Sequence, residues 1–408
     1  MFLGMRFFLT FAYQMQAVII GIYIYHLTHD TLALGLVGLA EAIPAIGVSL
    51  YGGYIADKSE KRRLLLMIIG VMALSSSVLL WVTHPTTTHT VTPALVVPVL
   101  YTVVFITGLA RGFMGPAVFS LMAQIVPKEI YPNSSTWNSS SWQTASIIGP
   151  AVGGLLYGYY GVTSSFIAIV LFMIISFGFA FTFKTHEARY VPKENIFASL
   201  REGIRFVFSN RMVISAISLD LFSVFFGGAV ALMPVLANDI LKVGPQGLGI
   251  MRAAPALGSV LTMMIMTRYS PMGKPWRNLL IAVTGFGLSI IGYGLSRHFY
   301  LTLVFLFFEG AFDSVSVVIR STIMQLLTPD AMRGRVSAVN SMFIGSSNEI
   351  GAFESGLTAK LMGTIPAIVF GGSMTLVVMS ATWLKTKKLI NLSLDEIHTP
   401  VVADTAAP

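Results

Sequence analysis

No cysteine occurs in the 408 residues, which excludes disulfides, thiolate metal sites and thiol catalysis. Charge is nearly as scarce. Asp, Glu, Lys and Arg make up 11% of the chain, against about a quarter in soluble domains. There is no Gly-x4-Gly-Lys-Ser/Thr to cradle a nucleotide, so ATP is not the driver. There is no His-Glu-x2-His and no Gly-x-Ser-x-Gly. The seven histidines are scattered, and none falls in the middle of an apolar run. The chain therefore carries no enzyme signature and calls for no cofactor and no metal.

What is abundant is apolar surface. Hydrophobic residues make up 55% of the chain and the mean hydropathy is +0.77. A bilayer span needs about 20 apolar residues. Runs of that kind lie near 5–26, 32–55, 63–83, 95–118, 136–160, 162–184, 212–237, 246–268, 276–295, 298–327, 336–360 and 364–385. The expected fold is all-α, with twelve transmembrane helices in a lipid bilayer. The N-terminal run is interrupted by Gln14 and Gln16 and lacks a small-x-small cleavage site, so it reads as a retained first span.

The net charge of +8 is explained by topology. Arg6, the Lys58–Arg63 cluster, Lys128, the basic residues between Lys184 and Arg211, Arg268, Lys274, Arg277, Arg333, Arg335 and Lys385–Lys388 all fall on one side. Lys242, Arg297 and Lys360 fall on the other, and Arg111, Arg252 and Arg320 lie within spans. By the positive-inside rule the richer side is cytoplasmic, with both termini there, and the basic balance needs no nucleic-acid partner. The expected location is the plasma (inner) membrane.

The chain divides into a half at 1–185, a linker at 186–211, a half at 212–388 and a tail at 389–408. In the linker, Ile196, Leu200, Ile204 and Val207 share one helical face, as expected of a helix lying on the membrane surface. The halves echo each other. Asn138 pairs with Asn340, Gly149 with Gly351 and Gly154 with Gly356, each 202 residues apart. Two parallel six-helix halves around a midplane cavity form a known transporter architecture.

Charges inside apolar runs mark where that cavity should be. An ionised side chain at mid-bilayer costs about 2.5–3.5 kcal/mol or more, so such residues face protein or a wet space. Glu309, Asp313 and Arg320 fall on one helical stripe. Two carboxylates one turn apart repel when both are ionised, and burial opposes charge too, as a group that takes up and releases protons requires. Asp313 and Glu309, with Asp220 and Glu354, are the candidates for proton coupling. The bland alternative is a structural ion pair with Arg320. Arg111, Arg320, Glu41, Gln16, Asn348 and Glu349 are candidates to line a substrate cavity. A cavity-facing Arg111 would suit an acidic or catecholate-like substrate, whereas in the alternative it partners a buried carboxylate such as Glu41. Glu349 and Glu354 are five apart and cannot point at one ligand. Gly149, Gly153 and Gly154, flanking Pro150, read as small-residue packing steps on the fifth helix.

Several stretches resemble the major facilitator superfamily. GGYIADKSEKRR is similar to its signature between the second and third helices, matched here by Gly53, Asp57, Lys58, Lys61 and Arg62, with Glu60 where a second glycine is usual. The resemblance implies a cytoplasmic gate latch centred on Asp57. GPAVGG resembles the core of a fifth-helix motif associated with antiporters. YHLTHDTLALGLVGLAEAIP, LDLFSVFFGGAVALMPVLANDIL, RGRVSAVN and SNEIGAFESG are similar to the branch of enterobactin exporters and their multidrug-efflux neighbours. The family thus implies a secondary transporter, working as a monomer, that exchanges protons for a small siderophore-like or drug-like amphipath. An importer or uniporter of the same fold is the alternative, and a non-transporting membrane sensor ranks below both.

Overall fold

The structure, a computed structural model, describes residues 1–88, 93–126, 130–183, 196–329 and 332–390. It is helical throughout, with no strand among the described residues. Helices α1 (Phe2–Thr28), α2 (Thr31–Lys58), α3 (Lys61–Thr83) and α4 (Pro93–Ile125) follow in order. A continuous helical run, Tyr131–Phe181, then folds back at Gly161 into α5 (131–160) and α6 (162–181). After the linker helix Ile196–Ser209 come α7 (Arg211–Ile240), α8 (Gly244–Arg268), α9 (Pro275–Leu295), α10 (Phe299–Leu327), α11 (Arg333–Met362) and α12 (Thr364–Lys385). Ten described stretches are long and apolar enough to cross a membrane on those grounds alone. One of them holds both α5 and α6. Helix α11 falls short because Asn340, Ser346, Ser347, Asn348, Glu349 and Glu354 dilute its apolar residues.

Local chemistry sets the helix ends. α1 stops where His29 turns left-handed (φ 50). Asp30 then caps α2, accepting from the Leu32 amide at 3.0 Å. α7 begins at Asn210, whose side chain accepts from the amides of Met212 and Val213. It loses regularity beyond Phe226, where Gly227, Gly228 and Pro234 interrupt it. The helix tightens to a 3₁₀ turn at Gly228–Leu232 and widens to a π turn at Leu236–Ile240.

The repeat extends to the backbone. Gly161 and Gly363 are 202 residues apart, and both hold positive φ, 79° and 92°. Each makes the corner between its half's fifth and sixth helices, a conformation that glycine reaches without steric cost. Packing repeats as well. A Cβ on Gly149 would meet Gln14 and the Phe11 carbonyl of α1, and one on Gly351 would meet the Phe225 carbonyl of α7. On a neighbouring face, Gly154 abuts Arg252 and Gly249 of α8, whereas Gly356 abuts Gly35 and Thr31 of α2. So α5 and α11 each bind their own half on one side and the other half on another.

The molecule has two ends, one carrying the α2–α3, α8–α9 and α10–α11 turns with their basic residues, the other the α1–α2 and α11–α12 turns. At this opposite end the halves are joined. Lys360 donates to Asp30 at 2.9 Å, Tyr25 donates to Asp239, and the α2–α11 and α5–α8 glycine contacts lie just inside. The linker helix departs from expectation. Its apolar face packs on protein, where Val207 is buried with Val213, Ile217, Val336 and Val339, and Glu202 pairs with Arg335.

Candidate functional site

Helices α8 and α10 cross with their backbones in contact. A Cβ on Gly258 would lie 2.0 Å from the Phe307 carbonyl, and one on Gly310 2.0 Å from that of Pro255. Ser259 fixes the crossing by donating to the Gly310 carbonyl at 2.8 Å. This close approach sets Arg252 of α8 beside Glu309 of α10, with Asp313 one turn further along α10 near Arg320. Arg252, Glu309 and Asp313 belong to one wall. All three line a cavity of about 530 Å³ between the halves. Asp220 of α7, Arg320 of α10 and Asn340 and Asn348 of α11 complete its C-terminal wall, and Trp142, Gln143, Ser146 and Pro150 of α5 form the facing wall. The cavity runs from Gly228 and Ala352 at mid-depth to Met324 and Asn340 towards the basic end, and the side chains of Trp142 and Asn348 in its wall are exposed.

Within the wall, Arg320 pairs with Asp220 across α7 and α10. Its Nε donates to the carbonyl and hydroxyl of Ser316, one turn earlier, at 3.3 and 3.2 Å. This pair is buried and electrically balanced. Glu309 and Arg252 are not satisfied in the same way: Glu309 Oε2 and Arg252 Nε are buried and have no hydrogen-bond partner.

A second polar knot sits in the N-terminal half. Arg111 of α4 pairs with Glu41 of α2 and with Glu349 of α11 at 2.7 Å, so it bridges the halves. Its guanidinium lies 4.7 Å from the centre of the Tyr13 ring, and Tyr13 donates to Glu41 at 2.5 Å. Gln16 accepts from Ser76 and donates to Thr107 at 3.4 Å. The void here is only about 10 Å³, room for about one water.

The structure thus divides the residues proposed from sequence. Asp313, Glu309, Asp220, Arg320 and Asn348 share the large cavity. Arg111, Glu41, Gln16 and Glu349, expected to line a substrate cavity, form the separate knot instead, because the carboxylates of Glu41 and Glu349 take up the guanidinium. Glu354 stands apart from both, accepting from Thr358 at 2.8 Å. In the gate motif the side chains of Asp57 and Lys58, and the surroundings of Gly53, lie outside the described residues. Lys61 donates to the Ser59 carbonyl at 3.1 Å, and Arg62 donates to the Phe181 carbonyl at 2.8 Å, tying α3 to the end of α6. Gly149 and Gly153 pack on α1, Gly154 packs on α8, and Pro150 faces the cavity. Arg252, absent from the sequence-based candidates, carried the one available signal: a cation inside an apolar span.

Two parallel six-helix halves enclosing a charged cavity form the architecture of a membrane transporter. The solved structures with the same fold include a D-xylose–proton symporter (15% identity, 96% of this chain and 98% of that one, TM-score 0.71). A transporter of the POT family in complex with a thioalcohol-conjugated peptide is comparable (13% identity, 95% and 96% coverage, TM-score 0.71). The chain belongs to the transmembrane secretion effector family of the major facilitator superfamily, whose sequence profile matches residues 7–404. It is similar to the enterobactin exporter EntS of Shigella boydii and of Escherichia coli, at 23% identity over 383 residues in each case, covering 91% of this chain and 88% of the relative.

Proposed function

We propose that the protein is a proton-coupled exporter of a small amphipathic molecule, siderophore-like or drug-like, acting as a monomer in the inner membrane by alternating access. Both termini face the cytoplasm in this reading, and the halves at 1–185 and 212–388 rock about the cavity while the linker at 186–211 tethers them. The observation that carries the proposal is the cavity of about 530 Å³, with Glu309 and Asp313 in its wall. Its volume falls within the range of about 300–1,000 Å³ typical of small-molecule sites. It reaches towards the basic end while the opposite end is closed, the arrangement in which an exporter loads from the cytoplasm. The enterobactin exporters among its relatives favour efflux over uptake.

The coupling step follows from the wall. A proton arriving from outside neutralises Asp313 or Glu309, weakens their hold on the cargo and lets the halves return; loss of that proton to the cytoplasm resets the site. The test is flux in reconstituted vesicles with an imposed pH gradient. Gradient-driven efflux is expected in the wild type, and Asp313→Asn should retain downhill exchange but lose acceleration by the gradient. Undiminished gradient-driven efflux in Asp313→Asn removes Asp313 from the mechanism.

A further inference from the structure

Resting on that reading, we propose that Glu309 and Asp313 form a subsite for the positively charged head of the cargo, an organic ammonium or amidinium group, so that the cavity selects amphipathic cations over acids. The first ground is charge balance. The cavity wall holds three carboxylates, Asp220, Glu309 and Asp313, and two guanidiniums, Arg252 and Arg320. Arg320 is committed to Asp220. Asp313 must share that same Arg320, and Glu309 faces Arg252, so three carboxylates meet two guanidiniums, and in a poorly screened setting the one excess negative charge calls for an exchangeable cation.

The second ground is geometric. Glu309 is 5% exposed, and its Oε2 has no donor although the residue forms part of the cavity wall. An unpaired buried carboxylate oxygen is costly, and an N–H from a bound ammonium is the group that satisfies it. Arg252 Nε, also unpartnered, suits a neutral oxygen acceptor on the same molecule. Trp142, Phe286, Val224 and Ile344 offer apolar contact to the rest. The third ground removes the competing reading. Arg111, the donor that would favour an acidic cargo, is held by Glu41 and Glu349.

The groups that set the charge at Glu309 come from each helix packed against it: Arg252 from α8, Tyr293 from α9, and Asp313 on α10 itself. Asp220 from α7 and Arg320 act through Asp313. A cation and a proton compete for the same excess negative charge, so each lowers the affinity for the other by the same factor. That competition is the exchange itself.

The experiment measures binding without a gradient, on the purified full chain in lipid nanodiscs. The probes are dansylcadaverine, an amphipathic amine, and dansylglycine, which carries the same fluorophore on an acid. Dansylcadaverine is expected to bind saturably and more tightly at pH 8 than at pH 6, and dansylglycine is expected neither to bind nor to compete. Glu309→Gln should weaken the amine at least about tenfold and flatten its pH dependence. Arg252→Gln should tighten it several-fold, a gain that misfolding cannot imitate. Binding of dansylglycine as tight as that of dansylcadaverine overturns the proposal, as does an unchanged affinity in both variants. Because no flux is measured, the subsite can stand if proton coupling fails, and proton coupling can stand if the subsite fails.

Discussion

Replacing Gly356 with alanine should change which end of the protein is open. Gly356 of α11 lies against α2 of the other half. An added Cβ would sit 2.7 Å from Gly35 Cα and the Thr31 carbonyl oxygen and 2.8 Å from the Gly35 amide nitrogen. Carbon atoms in contact need about 3.5 Å or more, and all three neighbours are backbone, so the helices must retreat by roughly 1 Å. Overpacking of this kind costs about 1–3 kcal/mol. In the proposed alternating-access cycle the cost falls only on the state with the opposite end closed, because α2 and α11 part when it opens. The ratio of closed to open molecules should therefore fall by a factor of roughly 5 to 150. Gly351→Ala is the matched control. Its Cβ would meet the Phe225 carbonyl at 2.7 Å, but α7 and α11 belong to one half, so both states suffer alike and only stability drops. The assay is the distance between spin labels at Leu95→Cys and Tyr300→Cys, exposed at 60% and 81% on the two halves at the opposite end. With no native cysteine, labels attach only there. A distance distribution in folded Gly356→Ala identical to wild type, or the same shift in Gly351→Ala, refutes the reasoning.

Three further outcomes are expected. The bond from Lys360 holds the Asp30 carboxyl below its usual range, so the stabilisation of the closed end is present above that range and is lost only as pH falls through the lowered value. The spin-label distances should accordingly be unchanged between pH 8 and pH 5.5. Both side chains of that pair are partly exposed, so Lys360→Gln, read with the same labels, should shift the closed-to-open ratio by less than about fivefold, in line with about 0.2–1 kcal/mol for surface pairs. Arg320→Ala leaves Asp220 charged and unpaired in the cavity wall and should destabilise the fold by about 3–5 kcal/mol, seen as a lower thermal midpoint; a second change, Asp220→Asn, should recover much of the loss.

The helices were legible in the sequence because a span is a one-dimensional quantity: each apolar run stands alone, and all twelve helices begin and end within several residues of their expected places. Much of the corner geometry was legible through the repeat, since the spacing that relates Gly154 to Gly356 also relates Gly161 to Gly363. The pairing of charges was not legible. Arg320 shares a stripe with Glu309 and Asp313 on its own helix, yet its partner is Asp220, on another helix, and sequence periodicity carries no information about that choice. Arg111 shows the same limit. Its burial was foreseeable, but whether it faced a ligand or Glu41 and Glu349 depended on how α2, α4 and α11 cross. The irregular end of α7 was hidden for another reason, since Gly227, Gly228 and Pro234 permit a break without dictating its form.

The two glycine corners also constrain how force travels. At Gly161 and Gly363 a single residue joins the fifth helix of each half to the sixth, leaving almost no slack between them. When α5 or α11 tilts at the seam, the outer helix behind it must swing at once, as the second arm of a crank follows the first. The lipid-facing back of each half is thereby geared to the seam, and bilayer thickness or lateral pressure acting on α6 and α12 would reach the transport cycle directly.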